Sequence, residues 1–173
     1  MKLNHTTLLK TNKLVVKKNG FLKNQLGVFT KKTFKKNQEL FFVKGPIKSK
    51  PSIYSFSLNL DEHIEPKKIN GNFDFGHYIN HSCNPNAIVK VINRHNKTPY
   101  IKVIARKNIK KDEELTLDYA SFEYVTVTNS ICKCNAKNCR GIIYGFRDLP
   151  ENIARKYKKD DMISKYLLNI KIN

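Results

Sequence analysis

Three cysteines near the C-terminal end of the chain have the spacing of a metal site. Cys132, Cys134 and Cys139 lie within eight residues, and Cys132 and Cys134 are too close in sequence to bridge each other comfortably. Three thiolates at this spacing suit a tetrahedral ion such as Zn²⁺. The pattern therefore predicts a structural zinc site, with free thiols or oxidised pairs as the alternatives.

Two further segments carry polar side chains that ordinary core segments do not have. Residues 80–86 read Asn-His-Ser-Cys-Asn-Pro-Asn, directly before the apolar run that starts at Ala87. An Asx-turn ahead of a strand would also explain the Asn-Pro-Asn part. The other segment is Glu-Leu-Thr-Leu-Asp-Tyr at residues 114–119. Taken with the cysteines, both are candidates for a functional site.

Short β segments must position these residues. From residue 14 to residue 109 the chain alternates Val-, Ile-, Phe- and Tyr-rich runs with Gly, Pro and Asn, and it shows little helical periodicity. We predict a mainly β core. The candidate strands are 27–34, 39–44, 53–59, 87–92 and 100–105, and the last two form a hairpin around the turn-forming residues 93–99.

The end of the chain has a different period. Over residues 151–170 the apolar residues recur at roughly helical spacing, with an interruption near Asp160 and Asp161. One or two amphipathic helices are predicted there. The absence of internal repeats and long linkers favours one integrated domain.

The composition indicates a basic, intracellular protein. Lys and Arg number 33 against 14 Asp and Glu, so the net charge of +19 should attract nucleic acid or acidic protein surfaces. A general bias towards Lys and Asn would explain part of this charge. No apolar run approaches the roughly 20 residues needed to cross a bilayer, and residues 1–18 lack the pattern of a cleaved signal. Reduced thiols fit the nucleus, with its chromatin, or the cytosol.

Together the three segments resemble the SET-domain family of protein lysine methyltransferases. The family motifs are Asn-His-Ser-Cys-x-Pro-Asn, Glu-Leu-x-x-Asp-Tyr and Cys-x-Cys-x4-Cys, and all three stand here in the family's order. The resemblance implies a fold of several small β sheets in which the first two motifs cross as a pseudoknot, followed by a zinc-bound post-SET segment. We therefore expect a SET domain at 14–124, a post-SET zinc-binding segment at 128–146 and a C-terminal helical extension at 147–173.

The resemblance also implies a reaction, in which S-adenosylmethionine donates a methyl group to a lysine side chain of a protein tail, with a histone as the candidate substrate. Such an in-line displacement depends mainly on alignment and on dispersal of the donor's positive charge. Tyr119 matches the family's catalytic tyrosine, although a tyrosine here could also be core. Cys83 would be the fourth zinc ligand beside Cys132, Cys134 and Cys139.

Further site residues follow from the same resemblance. The expected contacts to S-adenosylmethionine are Leu26, Gly27, Val28, Tyr54, Asn80 and His81. An apolar channel would disfavour the ammonium form of the target lysine. Its candidate walls, beside Tyr119, are Phe75, Tyr78, Leu117, Phe122 and Tyr144. His81 could instead be a hydrogen-bonded structural histidine, and Tyr54 a simple strand aromatic.

The chain departs from the family pattern at four positions near these residues, and two of them are Leu117 and Tyr78, where Phe or Tyr and Phe, respectively, are common. Gln25 stands where the first glycine of a Gly-x-Gly motif is expected, and His77 stands where arginine is common.

Two other functions compete with methyl transfer. One is a catalytically silent SET-like module that binds nucleic acid or a protein partner through its basic surface. The other is a small zinc-dependent nucleic-acid-binding protein. For an active enzyme, the basic surface would contact nucleosomal DNA.

Overall fold

Short strands make up most of the regular structure. The computed structural model describes residues 9–19, 25–69, 71–127 and 130–170. The first strands are β1 (Leu14–Lys18), β2 (Leu26–Thr30), β3 (Glu39–Val43), β4 (Ile47–Lys48), β5 (Phe56–Ser57) and β6 (His63–Ile64). The later strands are β7 (Lys68–Ile69), β8 (Asn72–Phe73), β9 (Asn80–His81), β10 (Ala87–Arg94), β11 (Lys97–Ala105) and β12 (Glu114–Leu117). Helix α1 (Glu151–Lys159) and helix α2 (Lys165–Leu168) follow, and 3₁₀ turns occupy Phe75–Tyr78, Tyr119–Ser121 and Phe146–Asp148.

The strands form several small sheets. Their orders are β1-β2-β12-β9, β10-β11-β3 and β4-β6-β5, with β7 and β8 as a separate pair. Strands β9 and β12 pair in parallel, Asn80 opposite Thr116 and His81 opposite Leu117. This pairing brings the Asn-His-Ser-Cys segment against the Glu-Leu-Thr-Leu-Asp-Tyr segment, as the resemblance implies. The prediction of a mainly β fold of small sheets is confirmed.

The core follows from alternation along the strands. In β11, Ile101, Val103 and Ala105 are fully buried, while Lys102 and Ile104 between them are only partly buried. Val16 of β1, Val28 of β2 and Leu115 of β12 join the same cluster from the other sheet. Each such side chain contributes about 1.5–3 kcal/mol through the surface it removes from water. This cluster fixes the sheets on which the two motif segments lie.

Two predicted strands are too long, and the predicted hairpin is confirmed. The 27–34 segment is a strand only as far as Thr30, and Phe34 makes an isolated bridge to Ile109. The 53–59 segment is a strand only at β5, because Ser52 and Ser55 form a turn in which the Ser55 N–H donates to the Ser52 carbonyl at 3.2 Å. The hairpin of β10 and β11 turns more tightly than expected. Asn96 takes a φ of 57° at its tip, a conformation that asparagine tolerates.

The predicted C-terminal helices are also confirmed, with the break where the sequence indicated. Asp160 ends α1, and Asp161 has a φ of 51°, which no helix accommodates. Behind the break, Ile163 and Leu167 are buried with Ala120 in a second apolar cluster. The helices therefore pack against the turn that begins at Tyr119. No helix among the described residues has the length and apolar character needed to span a membrane.

Candidate active site and cysteine cluster

Hydrogen bonds of Asn80 and Glu114 join the two motif segments to the start of the SET-like fold. The Asn80 Nδ2 donates to Glu114 Oε1 at 2.7 Å and to the Leu26 carbonyl at 3.0 Å. The other Glu114 oxygen accepts from Asn19 Nδ2 at 2.7 Å. Gln25, which replaces the expected glycine, donates from Nε2 to Asn80 Oδ1 at 2.7 Å. The departure at Gln25 therefore adds a direct contact to a predicted donor-binding residue.

Gly27 is required by this arrangement. A Cβ atom added there would overlap Glu114 Oε1 and lie 3.1 Å from Asn80 Nδ2. Gly27 is also one of the expected contacts to S-adenosylmethionine. The structure shows in addition that the protein's own Glu114–Asn80 pair occupies the space beside it, so a side chain at position 27 would disturb that pair.

A pocket of about 390 Å³ opens beside Asn80, within the size range of small-molecule sites. Of the residues predicted for donor binding, catalysis and the channel, its walls include Leu26, Tyr54, Tyr78, Asn80, Tyr119 and Phe122. His77 also lines it, stacked on Tyr54 with ring centroids 3.7 Å apart. The pocket walls thus include both aromatic side chains and the amide side chains of Gln25 and Asn80.

Tyr119 places a neutral hydroxyl at this pocket. Its hydroxyl donates to the Ile79 carbonyl at 3.0 Å, and its ring meets that of Phe122 edge-on at 5.9 Å. Burial, together with the charges of Glu123 and Glu114, raises the pKa of Tyr119 further above its ordinary value. The group is therefore a phenol and not a phenolate at any ordinary pH. Its oxygen keeps acceptor capacity for a positively charged group.

Other predicted site residues lie outside the pocket. Val28 and Leu117 are fully buried in the main core, and Phe75 packs there on Phe41 with centroids 5.6 Å apart. Tyr144 packs at the edge of the second apolar cluster. Any role of these four residues at the site remains a prediction, and in the described structure their contacts are those of core packing.

His81 lies between Tyr119 and the cysteines. The backbone N–H of Tyr119 points at His81 Nδ1 at 3.3 Å, and His81 Nε2 lies 3.5 Å from Cys83 Sγ. With Nδ1 accepting, Nε2 carries the hydrogen and faces the sulfur. Burial lowers the pKa of His81 to about 4, so the ring is neutral. Its contacts are those of a positioning histidine.

The four cysteines meet in one place. The sulfurs of Cys83, Cys132, Cys134 and Cys139 all lie within 4.8 Å of one another, and Cys83 Sγ is 3.8 Å from Cys132 Sγ. Cys83 and Cys132 are buried, and all four are free thiols. Four sulfurs at these separations fit a tetrahedral ion with no position left open for water. Backbone N–H groups also point at three of the sulfurs, as is expected for sulfurs that bind a metal as thiolates.

Those N–H groups would stabilise a thiolate at each sulfur to which they point. The Cys83 N–H donates to Cys134 Sγ at 3.4 Å, and the Arg140 N–H donates to Cys83 Sγ at 3.4 Å. Burial raises the pKa of Cys83 to about 11, whereas at Cys134 N–H donors outweigh burial and lower the pKa to about 7. A bound cation would stabilise the thiolate form at all four positions.

Asp118, Arg140 and Tyr157 form a buried network that the sequence analysis did not identify. Arg140 donates from Nη1 and Nη2 to the two Asp118 oxygens at 2.6 and 2.9 Å, and the Tyr157 hydroxyl donates to Asp118 Oδ2 at 2.6 Å. Asp118 also caps the turn that begins at Tyr119, by accepting from the Ala120 N–H at 3.1 Å. Arg140 directly follows the last cysteine, which was a usable signal, but nothing local marked Tyr157.

Sequence and fold comparisons agree on one family. Residues 25–120, more than half of the chain, match the SET domain. A stretch of 89 residues is 39% identical to human (Homo sapiens) histone-lysine N-methyltransferase 2D, and this match covers 51% of the chain but 2% of that relative. Because the chain spans so little of this relative, the match by itself concerns the domain and not the whole protein.

Two solved structures share the fold. The methyltransferase domain of human histone-lysine N-methyltransferase SETMAR matches 72% of the chain and 55% of its own length, with a TM-score of 0.58 and 19% identity. The structure of KRYPTONITE in complex with mCHG DNA and SAH matches 70% of the chain and 27% of its own, with a TM-score of 0.58 and 24% identity. At these identities the likeness is one of fold.

Proposed function

The chain belongs to the SET-domain family, and on that premise we propose that it is a protein-lysine N-methyltransferase. The observation that carries the proposal is the Tyr119 hydroxyl, neutral and held by the Ile79 carbonyl, on a pocket that Asn80 also lines. A silent SET-like module would have no need of this arrangement. A zinc-dependent DNA-reading protein would have no need of the pocket.

We propose S-adenosylmethionine as the methyl donor. Its sulfonium supplies an electrophilic methyl group. SAH, the product form of this donor, is the ligand named for the KRYPTONITE complex. In this chain Asn80 and Leu26 would hold the donor at the pocket wall, and the Tyr119 oxygen would face the positive charge. Tyr54, Tyr78 and Phe122 would keep water from the target amine, which must be neutral to react.

We also propose zinc at the four-cysteine cluster. The ion would hold residues 130–146 against Cys83 and, through His81, against the backbone of Tyr119. Its role would be to complete the fold around the pocket, since four sulfur ligands leave no coordination position for a substrate. On this proposal the three parts expected from the sequence, 14–124, 128–146 and 147–173, act as one unit.

Replacement of Tyr119 by Phe tests the enzyme proposal. We expect transfer from labelled S-adenosylmethionine to fall by about 100-fold or more, because a polar group aimed at the developing charge is lost. Core histones, nucleosomes and a ribosomal-protein mixture are the substrates to compare, with mass spectrometry to locate the modified lysine. Tyr100→Phe, on β11 away from the pocket, is the matched control and should transfer normally. Equal activity of both variants would contradict the role of Tyr119.

A histone in chromatin is the substrate we propose, because the relative matched by sequence is a histone-lysine N-methyltransferase. A basic surface supports contact with nucleosomal DNA. Two turns, 31–36 and 106–111, are held together by backbone hydrogen bonds of 2.9 Å in both directions between Phe34 and Ile109. These turns carry eight basic residues and no acidic one, and we call them the lysine turns. Such an enzyme would act in the nucleus.

Neutralisation of the lysine turns tests the DNA contact. Replacing Lys35, Lys36, Lys110 and Lys111 by Gln should weaken binding to duplex DNA. The plot of log K against the logarithm of the salt concentration should become less steep, by about one unit of slope for each lost phosphate contact. The control carries the same charge change in exposed lysines elsewhere, at positions 48, 50, 67 and 68. An equal effect of both sets would show attraction by net charge alone and would contradict a defined DNA-contacting surface.

A further inference from the structure

The carboxyl group of Glu123 is buried at the pocket with one oxygen unsatisfied. Glu123 is 8% exposed and lines the pocket together with Tyr119. Its Oε2 accepts from Ser57 Oγ at 2.8 Å. Its Oε1, also buried, has no hydrogen-bond partner among the residues that the structure describes. Native proteins satisfy nearly all buried polar atoms, so this oxygen is available to accept a hydrogen bond from a group that enters the pocket.

Behind Glu123 lies a short hydrogen-bonded chain. Ser57 Oγ is 3.0 Å from His63 Nδ1, and the two residues face each other on the paired strands β5 and β6. Both are buried. When Ser57 donates to the Glu123 carboxylate, His63 donates from Nδ1 to Ser57. The hydrogen bond from Ser57 therefore fixes the carboxyl group through Oε2, and a proton can be taken up at Oε1, the oxygen without a partner.

The surroundings favour a carboxyl group that titrates near physiological pH. Burial raises the pKa of Glu123 to about 8, while the hydrogen bonds from Ser57 oppose the shift. Three titratable groups interact with Glu123. They are the hydroxyls of Tyr119 and Tyr166, which interact with its charge, and the His63 ring, which is connected to it through Ser57. Burial raises the pKa of both tyrosines and lowers that of His63, so all three are neutral. An ammonium group entering the pocket would be the positive partner of the carboxylate.

We propose that Glu123 is the proton acceptor for the target lysine, an inference that rests on the proposed methyltransferase function. An N–H bond of the lysine ammonium breaks, and an O–H bond forms at Glu123 Oε1. The lone pair of the neutral amine then forms the N–C bond to the donor methyl, and the S–C bond breaks with its electron pair left on sulfur. The products are a methylated ammonium and a neutral thioether. The proton stays on Glu123 until the products leave, and it is then released to the water that enters the open pocket.

The test is the pH profile of kcat/KM for wild type and Glu123→Gln. For wild type we expect a rise with pH whose midpoint lies near 8, because only the carboxylate accepts a proton. For the Gln variant we expect a loss of about 100-fold at pH 8.5 and no rise near pH 8. Binding of SAH should change by less than about twofold. Since the carboxyl is mostly neutral at pH 7, the isosteric amide should preserve the fold.

Two further variants separate the possible outcomes. Glu151→Gln, at an exposed position on α1, is the matched control and should leave the profile unchanged. Ser57→Ala removes a hydrogen bond that lowers the pKa of Glu123, and it should move the rise near pH 8 to higher pH. If Glu123→Gln keeps wild-type activity and profile, the Glu123 inference is overturned alone. If wild type binds SAH but transfers to no substrate, the proposed function fails and the inference with it. If Glu123→Gln does not fold, an unchanged profile in Ser57→Ala overturns the inference.

Discussion

Removal of zinc from the four-cysteine cluster is expected to unfold residues 130–146 and to abolish methyl transfer. This segment contains little regular structure beyond the bridge between Ile131 and Ile142. Its attachment to the motif segment depends on the sulfurs and on bonds such as that from Asn138 Nδ2 to the Cys83 carbonyl at 3.0 Å. Zinc binding supplies on the order of 10–16 kcal/mol in small zinc-finger peptides. Even a third of that would lower Tm by roughly 7–20 °C.

Metal analysis and thermal unfolding check this expectation. The protein as purified should hold one zinc ion per chain, and a strong chelator should lower Tm, end transfer and leave both recoverable on addition of zinc. Cys132→Ser should behave like the chelated protein because it removes a buried ligand. Lys137→Ala, an exposed change in the same loop, is the control and should retain metal and activity. A chain that holds no zinc, or a Cys132→Ser variant as stable as wild type, would contradict the structural role.

Replacement of Arg140 by Ala is expected to cost about 3–5 kcal/mol of unfolding free energy, because it leaves the fully buried Asp118 carboxylate without its cation. The consequence for function should exceed the loss of stability. Asp118 caps the turn that begins at Tyr119, so an unpaired and displaced Asp118 would move the Tyr119 hydroxyl. We expect methyl transfer to be lost at temperatures where the variant is still folded.

The matched control is Arg147→Ala. Arg147 also pairs with an aspartate, Asp148, at 3.1 Å, but both side chains are largely exposed, so the expected cost is below about 1 kcal/mol. Tyr157→Phe removes one hydrogen bond from Asp118 and should fall between the two, at about 1–2 kcal/mol. Chemical denaturation gives the three values. Similar costs for Arg140→Ala and Arg147→Ala would show that the buried pair does not organise the site.

The residues predicted for the channel lie in two different environments, and their role there stays a prediction. Tyr78 and Phe122 line the pocket, whereas Leu117 and Phe75, also expected as channel walls, face the core. Alternation along β12 decides this for Leu117, because Leu115 and Leu117 share the face that the sheet buries. A motif predicts which residues are near a site, and the pleat of the strand decides which of them reach it.

The sequence by itself determined the mainly β class, the 87–105 hairpin, the interrupted C-terminal helices and the family, because periodicity and motif spacing are local properties of the chain. Only the tertiary structure revealed the Asp118–Tyr157 hydrogen bond, between residues 39 positions apart, and the Ser57–Glu123 bond, between residues 66 apart. Such contacts depend on how separate sheets and helices pack. No local pattern distinguishes a buried tyrosine or glutamate that meets a partner from one that faces solvent.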